Sequence, residues 1–170
     1  VTGSDLMTYD ELGQLVEKTD RKGNRIVFTY DEMGRNTSVI HYAAEAPETI
    51  SRRVDTVYDN RGNAVRISNE HLIEHYSYNH ANMVTTLERR LEDAGIRSDV
   101  ASVYGGTEAD QVFSFTYEYN DAGMVTSMTY PDGAEHTFDY GSELGRLREI
   151  GEGENSQSVL PFVTGLNYNK

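Results

Sequence analysis

Tyr9-Asp10-Glu11-Leu12-Gly13-Gln14-Leu15 is the stretch that decides the fold, because the chain keeps returning to it. The phrase is an aromatic residue, Asp or Asn, two variable residues, Gly, one residue, then an aliphatic. It recurs as Tyr30-Asp31-Glu32-Met33-Gly34, as Tyr58-Asp59-Asn60-Arg61-Gly62 and as Tyr119-Asn120-Asp121-Ala122-Gly123. A looser copy is Tyr140-Gly141-Ser142-Glu143-Leu144-Gly145, and Tyr78-Asn79-His80-Ala81-Asn82 places Asn82 where the others have Gly. Tyr9 to Tyr30 is 21 residues, Tyr58 to Tyr78 is 20 and Tyr119 to Tyr140 is 21. A fixed period means one small unit stacked many times. Tyr30 to Tyr58 is 28 residues, which implies an insertion. Tyr78 to Tyr119 is 41, which reads as two periods with the middle anchor lost.

Before each Tyr the chain alternates. Phe113, Phe115, Tyr117 and Tyr119 share one parity, and Ser114, Thr116, Glu118 and Asn120 share the other. Ile26, Phe28 and Tyr30 repeat this, as do His136, Phe138 and Tyr140. Period two with β-branched and aromatic residues signals strands. The Asp accepts hydrogen bonds from amides just ahead, and Gly supplies positive φ without a Cβ clash. Asn is the best substitute for Gly there. A second turn falls half a period later, at Asp20-Arg21-Lys22-Gly23-Asn24 and at Tyr130-Pro131-Asp132-Gly133. Each repeat is therefore two strands and two turns. The expected fold is all-β: an antiparallel meander of about a dozen strands, curled or wrapped because open sheets rarely exceed ~10 strands, with the aromatic parity inward.

Tyr-Asp-x-x-Gly-x-Leu units about 20 residues apart resemble the RHS (YD) repeat. Tyr9 to Leu15, then Thr19-Asp20-x-x-Gly23-Asn24, then Tyr30-Asp31-Glu32-Met33-Gly34-Arg35 carry the likeness, which extends from Tyr9 to about Ile150. The resemblance implies β-sheets that spiral into shells around a toxic cargo, as in bacterial polymorphic toxins and Tc toxins, or surface scaffolds related to those of teneurins. Carbohydrate binding is a further implied role. The chain is far shorter than a full shell, and it lacks the Asp-Pro-x-Gly core segment of self-cleaving members. The structural anchors implied are Tyr9, Asp10, Gly13, Tyr30, Asp31, Gly34, Tyr58, Asp59, Gly62, Tyr78, Tyr119, Gly123, Tyr140 and Gly145.

At 170 residues the chain fits one domain with a sizeable core. Its first residue is Val1, which suits a piece of a longer array. A net charge of −13 argues against sequence-independent nucleic-acid binding and against docking on anionic lipid. There is no Cys, which excludes disulfides and Cys-based zinc sites. No apolar run approaches the ~20 residues of a membrane helix. No cofactor is implied. The expected partners are a glycan or another segment of the same parent protein, with edge-to-edge self-association open to unpaired edge strands. The expected setting is a secreted or cell-surface bacterial protein.

Irregular stretches interrupt the period. His41 to Thr49 reads as an enlarged loop. Met83, Leu87, Leu91 and Ala94 recur at helical spacing before Gly95, so 83–95 admits a short amphipathic helix as well as a strand. Gly105 to Asp110 reads as a turn, and residues 151–170 as a mobile or docking tail.

Three chemical readings compete with a passive scaffold. His71-Leu72-Ile73-Glu74-His75 matches the His-x-x-Glu-His pattern of inverted zinc proteases, which needs both His on one helical face. In a strand the same two residues stand about 13 Å apart along the chain. Asp10, Asp31, Asp59, Asn79 and Asn120 could ligate calcium, although local turn bonding explains them without an ion. Tyr-rich strands can stack sugars, or can form an aromatic ladder within the sheet.

Overall fold

The computed structural model describes residues 4–92, 112–141 and 145–152. Every regular element among them is a strand. The strands are β1 (Leu6–Tyr9), β2 (Leu15–Thr19), β3 (Arg25–Tyr30), β4 (Asn36–Tyr42), β5 (Ile50–Tyr58) and β6 (Ala64–Ser68). They continue with β7 (Leu72–Tyr78), β8 (Val84–Leu91), β9 (Val112–Tyr119), β10 (Val125–Thr129), β11 (Glu135–Tyr140) and β12 (Leu147–Glu152). Strand order follows chain order from β1 to β12, an open antiparallel meander with those two strands at its ends. The contacts fall into two compact units. One is Val1–Glu74 with Leu91–Ala94, and the other is His75–Arg90 with Gly95–Lys170.

The four strict copies of the recurrent phrase build the same hairpin, and the looser copy at Tyr140, whose residues 142–144 lie outside the described residues, shares the bulged pairing. The pairings Tyr9↔Leu15, Tyr30↔Asn36, Tyr58↔Ala64, Tyr119↔Val125 and Tyr140↔Leu147 each sit at a register shift. In each the Tyr is the last residue of one strand, and its partner opens the next. A type I turn followed by a left-handed Gly makes this bulge, since the extra residue must be absorbed in one strand. Gly13, Gly34, Gly62 and Gly123 take φ between 77° and 92°, and Asn82 takes 60° in the same position.

The expected alternation shows in the second half of β9, although Ser114 in that strand and the whole of β2 are half-buried. In β9, Phe113, Phe115, Tyr117 and Tyr119 are half-buried while Thr116 and Glu118 are exposed. Among the described residues the expected core is not formed. Leu87 is the one buried hydrophobic residue among those described, and no large side chain there is fully covered. A domain core needs two packed layers, whereas the described elements of each unit supply sheet alone. Residues counted as enough for a core are spent on width instead.

Of the two readings open for 83–95 the strand is the one that forms. Residues 84–91 are strand β8, so no helix forms there, and Gly95 lies outside the described residues. The heptad-like spacing of Met83, Leu87 and Leu91 is a by-product of the repeat: Val84 follows the turn Asn82 and must pair in the sheet. β8 pairs directly with β9, through Leu87↔Phe115 and Arg89↔Phe113. No extra strand therefore enters the sheet between β8 and β9, and residues 93–111 lie outside the described residues. His41 and Tyr42 belong to β4, and the enlarged loop is 43–49, two successive turns closed by Ala46 N–H to Ala43 C=O and Thr49 N–H to Ala46 C=O. Gly151 and Glu152 lie in β12 rather than in the tail. Gly151 pairs with Thr137, whose Oγ1 stands 2.9 Å from where a Cβ would be. The turn expected at 105–110 and the rest of the tail lie outside the described residues.

Candidate functional site

The repeated turn is the most organised feature of the surface. Asp31 shows its construction. Its Oδ1 accepts from the amides of Met33 (2.9 Å) and Arg35 (3.0 Å), while its Oδ2 accepts from Arg35 Nε at 2.7 Å. The backbone closes around it, with Gly34 N–H donating to Asp31 C=O and Asp31 N–H to Arg35 C=O, each at 3.0 Å. Asp10, Asp59, Asn79 and Asn120 make the same pair of Oδ1 contacts to the amides two and four residues on. Asp20, in the other set of turns, does so as well. The chemistry needs only a short side chain with an acceptor oxygen, which is why Asp and Asn interchange.

Neighbouring turns are tied by two kinds of rung. The first is the anchor hydroxyl. Tyr30 donates to Leu15 C=O at 2.8 Å, Tyr58 to Asn36 C=O at 2.9 Å and Tyr119 to Val84 C=O at 2.6 Å. In every case the acceptor lies two residues past the turn residue of the preceding described hairpin, Gly13, Gly34 or Asn82. The second rung comes from the residue just after the turn Gly. Gln14 Nε2 donates to Gly34 C=O at 3.2 Å, and Arg35 Nη1 donates to Asp59 C=O at 2.9 Å while its guanidinium lies 4.7 Å from the Tyr58 ring centre. In the second unit methionines fill this position: Met83 Sδ stands 3.3 Å from the Cβ site of Gly123, and Met124 Sδ stands 3.2 Å from that of Gly145. In the recurrent phrase this position is a single unspecified residue after the Gly. Its signal was length rather than identity, since Gln14, Arg35, Met83 and Met124 are all long enough to reach the next turn.

Three of the turn carboxylates, Asp20, Asp31 and Asp59, have their pKa lowered. The Arg35 backbone amide, helped by its guanidinium and the Met33 amide, lowers the Asp31 pKa below the ordinary 3.8 although desolvation opposes it. Asp20 is lowered chiefly by the Asn24 side chain. At Asp59 desolvation pulls upward, but the Asn63 side chain and amide outweigh it and the net shift is downward. A lowered folded pKa means that these groups support the fold fully above the unfolded value, near 3.8. That support is lost as pH falls below it through the folded values. Urea unfolding followed between about pH 6 and about pH 2 is expected to show stability falling below about pH 4. Asp31→Asn keeps the Oδ1 acceptor, as Asn79 and Asn120 do, and should flatten part of that fall. An unchanged acid profile in Asp31→Asn would count against the turn carboxylates as its source.

The remaining candidates fare differently. His71 sits on a bend, with its Nε2 3.8 Å from Glu70 Oε1, while Glu74 and His75 lie in β7. The helical face that a His-x-x-Glu-His site needs is therefore not formed. Among the described residues no group of three or more His, Asp or Glu side chains is placed to hold a metal ion. The Oδ1 atoms proposed as calcium ligands are the ones already receiving turn amides. The faces of Tyr42 and Tyr58, which could have stacked a sugar, carry Arg25 at 4.2 Å and Arg35 at 4.7 Å. A groove of about 420 Å³ beside Tyr42 is lined by Lys18, Asp20, Arg25 and His41 among others. Its Arg25 is already bonded to Glu17 at 3.2 Å.

Comparison with known proteins agrees with this geometry. Residues 9–45 match the family model of the RHS repeat. No curated protein matches the sequence. Among solved structures, that of TcdB2-TccC3 without its hypervariable C-terminal region superposes over 96% of this chain with a TM-score of 0.72 at 15% identity. The TcdB2-TccC3 structure superposes over 96% with a TM-score of 0.72 at 17% identity. A Tc holotoxin pore from Photorhabdus luminescens covers 87% with a TM-score of 0.57 at 18% identity. At these identities the likeness is one of fold. The chain spans 8–9% of the length of those chains.

Proposed function

We propose that this chain is a non-enzymatic RHS-type scaffold, a section of wall from a secreted or cell-surface bacterial protein that encloses a toxic cargo or presents an interaction surface. The observation that carries the reading is the double ladder of rungs. Its best-placed polar groups are consumed internally: the Asp carboxylates close each turn, and the Tyr hydroxyls join one hairpin to the next. A catalytic site would instead hold such groups free and convergent in a pocket. The shortage of buried apolar residues supports the same reading, since a sheet with little core of its own suits a wall that is completed by other polypeptide. The repeat match and the fold shared with Tc toxin components agree with it.

The test uses the full reading frame that contains these repeats. Limited proteolysis should leave the polypeptide enclosed by the repeats protected, and Tyr58→Ala should expose it without altering any chemical activity the protein carries. Cleavage of that polypeptide at equal rates in parent and variant would overturn the wall reading. Saturable binding on a glycan array, lost on removal of an exposed Tyr, would instead support the surface-binding alternative.

A further inference from the structure

We propose that the groove beside Tyr42, at the ends of β2–β5 away from the Tyr-Asp turns, binds a phosphate group held by Lys18, His41 and Arg52. The register puts these three residues on one face of the sheet. Lys18 pairs with Ile26, Ile26 with His41 and His41 with Arg52, so they form one transverse row over four strands. Neighbouring strands are ~4.8 Å apart, which sets the backbones of Lys18 and Arg52 about 14 Å apart with Ile26 and His41 between them. Their two long side chains can close from either side on a group seated over His41. The groove, of about 420 Å³, has Lys18, Ile26 and His41 in its wall. That volume suits a small ligand.

The pairing of charges singles this row out. The chain has 28 Asp and Glu against 15 Lys and Arg, so its cations have acids in excess to bind. On the opposite face they do so: Arg25 meets Glu17 at 3.2 Å and Arg53 meets Asp55 at 2.8 Å. Residues opposed across strands gain from opposite charge. The row Lys18, Ile26, His41, Arg52 contains no carboxylate. Among the described residues neither Arg52 nor the His41 ring makes a hydrogen bond or an ion pair, and the Arg52 charge reaches Glu70 only at a distance. Lys18 Nζ lies 3.9 Å from Asp5, whose other oxygen is 3.6 Å from Arg21. The remaining polar groups of the groove are occupied. Asp20 takes the amides of Lys22 and Asn24 on Oδ1 and the Asn24 side chain on Oδ2, while Ser51 Oγ donates to His41 C=O at 2.9 Å. What the groove leaves open is a set of three donors, and a phosphate offers three acceptor oxygens where a carboxylate offers two. Ile26 and Ala43 line the same groove and suit the carbon side of an ester. No free carboxylate accompanies the donors, so this is a binding site, and it stands or falls apart from the wall reading.

Calorimetric titration of the 170-residue chain with phenyl phosphate and with inorganic phosphate, at constant ionic strength, tests it. Saturable binding to a single site is expected. Tighter binding of phenyl phosphate assigns the site to an ester, and equal binding assigns it to the free ion. Lys18→Gln and Arg52→Gln should each weaken binding about tenfold, the loss of one charge-assisted hydrogen bond. Arg53→Gln changes the next residue along β5, on the other face, and should leave affinity within about twofold. Arg52→Gln suffices should Lys18→Gln fail to fold, because Arg52 is exposed and supports no ion pair among the described residues. Absence of saturable binding at millimolar phenyl phosphate, equal affinity for benzoate, or an equal loss in Arg53→Gln and Arg52→Gln would overturn the site.

Discussion

Tyr58→Ala is expected to destabilise the fold by about 2–3 kcal/mol, the largest effect of any single anchor truncation here. Three interactions disappear together. The half-buried ring loses its cover, which for a fully buried aromatic costs about 3–5 kcal/mol and for this one less. The hydroxyl bond to Asn36 C=O at 2.9 Å contributes about 1 kcal/mol net. The Arg35 guanidinium, 4.7 Å from the ring centre, adds about 0.5–1 kcal/mol. Tyr58→Phe keeps the ring and should cost only about 1 kcal/mol. Urea midpoints of the two variants separate the terms. Tyr9→Ala is the control, because Tyr9 is 55% exposed and its hydroxyl makes no rung to another hairpin. Equal losses at Tyr58 and Tyr9 would show that the rung contributes nothing.

Gly62→Val should cost about 2 kcal/mol, for a reason unrelated to space. No atom lies within 4 Å of the Cβ site at Gly62, so a side chain meets nothing there. The penalty is conformational: φ is +92°, where an L residue is disfavoured by about 1–2 kcal/mol and a β-branched one by more. Gly62→Asn should cost under about 1 kcal/mol, since Asn82 already holds φ 60° at the corresponding position. The order Val, Ala, Asn in falling cost, read from chemical unfolding, checks the argument, and a flat series would refute it. Gly34 differs because its Cβ site lies 2.9 Å from Gln14 Nε2. Substitution there adds displacement of that side chain to the backbone strain, and it disturbs the bond to Gly34 C=O.

The readings that failed share a cause. Leu87 and Leu91 have helical spacing, yet strand β8 wins because Tyr78 to Asn82 makes a hairpin turn and the chain leaving it must pair. The His71 to His75 pattern fails because Leu72 to Tyr78 leads into the same turn and is extended. Local motifs scored in isolation lose to a neighbour whose turn geometry is stronger. Gln14 and Arg35 were overlooked for the opposite reason, since nothing within their own hairpins reveals what they touch.

What the residue order determined by itself is the hairpin. Every bond that shapes Asp10 to Gln14 or Asp31 to Arg35 closes within five residues, so composition and spacing suffice to predict turn, bulge and strand parity. Only the tertiary structure decided how hairpins are joined. Tyr30 to Leu15, Tyr58 to Asn36 and Tyr119 to Val84 span 15, 22 and 35 residues, with loops of different length between them. Such rungs depend on the register between hairpins, which no local pattern carries. The same is true of burial. Alternation marks which side chains share a face, but whether anything covers that face depends on a second layer, and the described strands of each unit do not provide one.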